Sequence, residues 1–108
     1  MQVLIHSRIA TTDDELRTRI TKALDAALAP VRACVDRFDA YLTDVNGPRG
    51  GPDKRCRVVA HLPNGPVVVS RTGLDPVAAI SAAAVRCRHL ILARLKRRRD
   101  RGRQAPSA

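Results

Sequence analysis

The sequence predicts one α+β domain, a two-layer sandwich in which a four-stranded sheet carries both helices on one face, in the order β-α-β-β-β-α. Three observations lead there. The apolar pattern alternates near the N-terminus, takes helical spacing over residues 16–28, alternates again through the middle, and returns to helical spacing from Val77. Clusters of turn-forming residues separate these segments. The length of 108 residues, 44% of them apolar, supports one core in one domain.

Val3 and Ile5 alternate with Gln2, Leu4 and His6, the mark of a short first strand. Thr11 to Glu15 then supply capping side chains and carboxylates, which satisfy unpaired N–H groups and oppose the positive end of a helix dipole. A first helix follows, with Leu16, Ile20, Ala23, Leu24, Ala27 and Leu28 on one stripe, and Pro30 ends it. From Cys34 to Val45 the period is two, with Phe38, Ala40 and Leu42 on one face and Arg37, Asp39, Tyr41 and Thr43 on the other. Residues 46–53 are turn chemistry throughout. A third strand places Cys56, Val58, Ala60 and Leu62 opposite Arg55, Arg57, Val59 and His61. Pro63-Asn64-Gly65-Pro66 forms a tight hairpin, with Asn-Gly supplying positive φ values, and Val67 to Val69 form the fourth strand. Asp75 as N-cap and Pro76 at the first helical position open a second helix striped by Val77, Ile80, Ala84, Cys87, Ile91 and Leu95. The first strand, helix and second strand suit a parallel crossover, and hairpins make the remaining pairs antiparallel. The domain is expected to occupy residues 1–100, with 101–108 a flexible basic tail.

The net charge of +10 is unevenly spread. Up to Val85 the chain has 11 basic and 9 acidic residues, whereas from Arg86 to Arg103 it has 9 basic residues against Asp100 alone. Such a patch calls for a polyanion, and Arg86, Arg88, Arg94, Lys96, Arg97, Arg98 and Arg99 are the first candidates for RNA phosphate contacts. The loop around Arg49, with Lys54, Arg55 and Arg57 beside it, is read either as a phosphate-holding segment or as a plain extended hairpin loop. The solvent face of the sheet could add Arg37, Arg55, Arg57 and His61, or be an ordinary face of mixed charge. Phe38 and Tyr41 point to opposite faces and there is no Trp, so a stacked single strand fits poorly and a folded RNA gripped by its phosphates fits better.

Other chemistry finds little support. His6, His61 and His89 lie on three different elements, and a catalytic pair would need two of them within a few ångströms. Cys34, Cys56 and Cys87 have no metal-knuckle or redox spacing, and Cys56 and Cys87 fall in apolar stripes as small core residues. No enzyme activity, cofactor, metal or small-molecule substrate is expected. No run of about 18 apolar residues suggests a membrane span, and Met1 to His6 lack the features of a secretory signal, so a cytoplasmic location without a membrane partner is expected.

Three segments carry a family resemblance. The opening Met1-Gln2-Val3, the stretch from Asp44 to Arg57 containing Asp44-Val45-Asn46-Gly47-Pro48-Arg49-Gly50-Gly51, and the Leu62-Pro63-Asn64-Gly65 turn resemble the ribosome hibernation promoting factor and ribosome-associated translation inhibitor family, also called sigma-54 modulation proteins. The resemblance runs from about Gln2 to Asp100 and is to the short form, without the family's extra C-terminal domain. It implies the same β-α-β-β-β-α fold. It also implies binding to rRNA of the small ribosomal subunit, in the channel for mRNA and tRNA, with translation blocked under stress. The family's basic positions along the second helix map onto Arg86, Arg88, Arg94, Lys96, Arg97 and Arg98. Two other readings stand beside this one: a general RNA- or DNA-binding module, and a protein that docks a partner on its open sheet or edge strand.

Overall fold

The structure, a computed structural model, describes residues 1–9, 13–44 and 54–103, with side chains through Arg99. Strand β1 (Gln2–Ser7) leads to helix α1 (Asp14–Leu28), a 3₁₀ turn (Ala29–Cys34), and strands β2 (Arg37–Asp44), β3 (Lys54–Leu62) and β4 (Gly65–Gly73); helix α2 (Pro76–Arg103) closes the order. The sheet order is β1-β2-β3-β4. β1 pairs with β2 in parallel, as a helical crossover between them requires, and the other pairs are antiparallel.

Local chemistry accounts for most boundaries. Asp13 caps α1, its Oδ1 accepting the Leu16 N–H at 2.8 Å, and Asp14 and Glu15 occupy the first turn. Pro30 does end the α-helix, but the chain continues as the 3₁₀ turn, so β2 begins at Arg37 and Cys34 lies outside it. The Val35 N–H closes that turn on the Arg32 carbonyl. In the β3–β4 hairpin Pro63 and Asn64 are the central residues, and Gly65 (φ 122°) alone among the described residues takes a positive φ. The turn therefore uses Gly65 after the corner rather than Asn64 within it, because a Pro at the first corner position already fixes φ negative. Asp75 caps α2 as expected, accepting the Val77 N–H at 2.9 Å. The helix then runs to Arg103, three residues past Asp100, while residues 104–108 lie outside the described residues.

The two helices pack on each other, and α2 packs on β3 and β4. Ile20, Leu24 and Leu28 of α1 and Ile80, Ala84, Cys87 and Ile91 of α2 are fully buried, opposite Phe38, Ala40, Leu42, Cys56, Val58 and Ala60 of the central strands. Ala79, Ala83 and Ala84 keep α2 close to the sheet, where a Cβ on Gly73 would meet Ala79 Cβ at 3.5 Å. Over Pro76–Arg99, α2 is long and apolar enough to cross a membrane by length and composition, contrary to the sequence expectation. A third of its apolar part is buried, on the stripe that faces the sheet.

Adjacent residues of α2 test this packing. Ile91→Ala leaves a cavity at a fully buried site and is expected to cost about 2–5 kcal/mol in urea unfolding followed by circular dichroism. Leu92→Ala, at a site 43% exposed, should cost less than about 0.5 kcal/mol.

Candidate nucleic-acid interface

Ile91 is the last fully buried residue of α2 among the described residues, and beyond Leu95, which still packs on the core, the helix runs off its edge. Lys96, Arg97, Arg98 and Arg99 are all exposed there, in the C-terminal part of the helix. Arg97 and Arg98 join Arg94 and Asn64 around a recess of about 300 Å³, so the β3–β4 turn forms one wall of the basic patch. Among the described residues no carboxylate pairs with any of these cations.

Three of the cations assigned to RNA from sequence are engaged with the protein itself. The Arg94 guanidinium donates to the Gly65 and Pro66 carbonyls at 2.8 and 3.2 Å, fastening α2 to the hairpin. Arg88 donates to the Ala27 carbonyl at 3.0 Å, tying α2 to the last turn of α1. Lys54 is half-buried and ion-paired with Asp44. Periodicity places a residue on a helix face but does not say which backbone carbonyl a long side chain will meet. Arg86, on a different part of α2, is exposed beside Arg71 and His89. Arg55 and Arg57 are exposed on the open face of the sheet. Arg49 and the rest of the expected phosphate-holding loop lie outside the described residues.

That open face holds a cluster that sequence reading missed. Asp39 points away from the helices yet is only 2% exposed. His6 Nε2–H donates to its Oδ1 at 2.9 Å, and His61 Nε2–H and Arg37 Nε–H donate to its Oδ2 at 2.8 and 3.1 Å. Burial alone would raise the Asp39 carboxyl, but the His6 and His61 hydrogen bonds and the Arg37 guanidinium together outweigh it and hold the group below its ordinary value. An ionised carboxylate only accepts, so both Nε2 atoms carry a proton and both rings are held in one orientation. His6 also stacks on Tyr41, with ring centroids 4.6 Å apart and planes 14° from parallel. Two histidines thus meet at one carboxylate, a meeting the sequence does not show, while His89 lies apart on α2. The register creates this: His6 pairs with Tyr41 and His61 with Arg37, so each imidazole sits diagonally across from Asp39. A lone Asp amid the polar positions of β2 was the available signal.

The Cys56 and Cys87 thiols are each pushed up to about 11, chiefly by burial; for Cys56 the Asp75 charge adds to this, and for Cys87 Arg94 opposes it. They are neutral at physiological pH and unsuited to nucleophilic attack. Cys34 is half-buried.

No protein-family model matches the chain, and no curated protein matches it. Among solved structures it is similar to a ribosomal subunit interface protein from Coxiella burnetii, with a TM-score of 0.72 and 14% identity, covering 89% of this chain and 98% of that one. It is also similar to the N-terminal domain of Protein Y from Thermus thermophilus, with a TM-score of 0.64 and 22% identity, covering 84% of this chain and 96% of that one. The chain shares their fold. It does so over 84–89% of its own length and nearly the whole of each of theirs.

Two measurements check the site chemistry. Because the folded Asp39 carboxyl lies below its unfolded value, its contribution to stability is present at neutral pH and is lost as pH falls through the folded value. Asp39→Asn should cost about 1–3 kcal/mol at pH 7, and its urea midpoint should fall less steeply than that of the wild type as pH is lowered below about 4. Under native conditions at pH 7.5, iodoacetamide followed by mass spectrometry should label Cys34 well before Cys56 or Cys87, and comparable labelling of all three would contradict the burial of the last two.

Proposed function

We propose that the protein binds the small ribosomal subunit through its rRNA, occupies the channel for mRNA and tRNA, and blocks translation by occlusion in the cytoplasm. The observation that carries this is the tip of α2: four consecutive exposed cations, Lys96 to Arg99, standing on a fold shared with a ribosomal subunit interface protein. Arginine dominates the patch, and its planar fork suits bidentate contacts to phosphate. Occlusion requires no bond to be made or broken, in keeping with buried, neutral Cys56 and Cys87 thiols. Arg86, Arg55 and Arg57 are the further candidates for RNA contact, as exposed cations outside the tip. Arg88, Arg94 and Lys54 serve the binding surface by holding α2 and β3 in place.

Sedimentation through a sucrose gradient with small subunits at moderate salt tests this reading. The wild type should travel with the subunit, and the Lys96→Glu, Arg97→Glu, Arg98→Glu triple variant should stay at the top while keeping its fold. Raising the salt should weaken wild-type binding with a log–log slope of roughly one per phosphate neutralised, and the triple variant should have a correspondingly shallower slope. Absence of the wild type from the subunit fractions would overturn the ribosomal assignment. Equal competition by unrelated duplex RNA or DNA would favour a general nucleic-acid-binding module.

A further inference from the structure

At the end of the sheet where β1 meets β2, a recess of about 480 Å³ is lined by Ile5, His6, Arg8, Arg17, Tyr41 and Thr43 among others. We propose that it takes one unpaired RNA base together with its phosphate. The proposal deepens the RNA-binding reading and rests on it for the class of ligand.

The aromatic half of the site is the His6–Tyr41 stack. Judged from Phe, Tyr and Trp alone, the open face offers one ring, too few for a stacking platform. The imidazole of His6 supplies the second. Its orientation is held by the hydrogen bond to Asp39, so the rings form a preset pile rather than two independent rotors. β1 is an edge strand, and among the described residues no strand lies beyond His6 to cover the outer face of its ring. A base laid on the pile would gain stacking without regard to its identity.

The cationic half comes from two elements. Arg17 reaches from α1 around the sheet edge and donates from Nη1 to the Ile5 carbonyl at 3.2 Å, which fixes its guanidinium beside the recess with further donors still available. Arg8 lies just past the end of β1 and is exposed. Among the described residues neither has a carboxylate partner. Two unneutralised arginines next to a two-ring stack match a nucleotide, whose flat base and charged phosphate are joined by one ribose. The volume lies within the usual range for small-ligand recesses, although the opening at the sheet edge favours a segment of a longer strand over a free nucleotide.

Tyr41 is the only tyrosine and the chain has no Trp, so its ring resonances are a single set and report on this site alone. Titration with hexauridylate, followed by NMR, should shift the Tyr41 ring signals as a base settles on the His6–Tyr41 pile. Tripolyphosphate, an anion without bases, should not. Tyr41→Ala and Arg8→Ala should each weaken hexauridylate binding, the former by about 10-fold, while Tyr41→Phe should retain it. If hexauridylate binds but leaves the Tyr41 signals in place, or binds Tyr41→Ala as tightly as the wild type, the subsite is overturned. Ribosome sedimentation is read separately: a protein that sediments with small subunits but fails these tests loses the subsite and keeps the proposed function. One that passes them but does not sediment keeps the subsite and loses the ribosome.

Discussion

Phe38, Ala40 and Leu42 cannot be buried beneath α1 and α2 without turning Arg37, Asp39, Tyr41 and Thr43 the other way, because side chains alternate strictly along a strand. Register then carries that choice to the neighbouring strands, so that Val3 and Ile5 of β1 and Cys56, Val58 and Ala60 of β3 follow the core. His6, Arg55, Arg57 and His61 are thereby committed to the open face. A slip of one residue in either pairing would bury charges and expose the core, which is why the apolar face specifies the arrangement so strongly. The polar surface of the sheet is a consequence of how its other surface packs.

The arginines divide into two populations under the same packing. Where a guanidinium comes within reach of a backbone carbonyl it donates to it: Arg88 to Ala27 at the end of α1, Arg94 to Gly65 and Pro66 at the hairpin, Arg17 to Ile5 on the edge strand. These contacts connect elements distant in sequence and hold α2 against the hairpin. Beyond the edge of the core, Lys96 to Arg99 make no such contact among the described residues and remain exposed. Concentrated unpaired charge of one sign raises the local potential and favours a polyanion. The division between fastening and free cations follows from where the core stops along α2.

Asp39 is the exception among the outward-facing residues of β2. A carboxylate so nearly covered would be costly if it stood alone, and three donors from three strands offset that cost. In return it orients two imidazoles and a guanidinium on a surface where long side chains would otherwise rotate freely. The His6–Tyr41 stack is one result of that order. A rigid ring pair at an edge strand binds with less loss of conformational freedom than two mobile ones.

Local chemistry in the sequence determined the order of elements, the inward faces of the strands, the capped start of each helix and the accumulation of charge after Arg86. These depend on residues near one another in the chain, where periodicity, caps and prolines act directly. The 3₁₀ turn after Leu28 and the position of Gly65 in the hairpin were less legible, since several backbone paths satisfy the same turn residues. Only the tertiary structure decided that Arg88 and Arg94 bind backbone carbonyls 61 and 29 residues away in sequence, and that His6 and His61 share Asp39 across separations of 33 and 22 residues. Such meetings depend on strand register and helix docking. Those are set by the whole buried face at once, and no local window of sequence contains them.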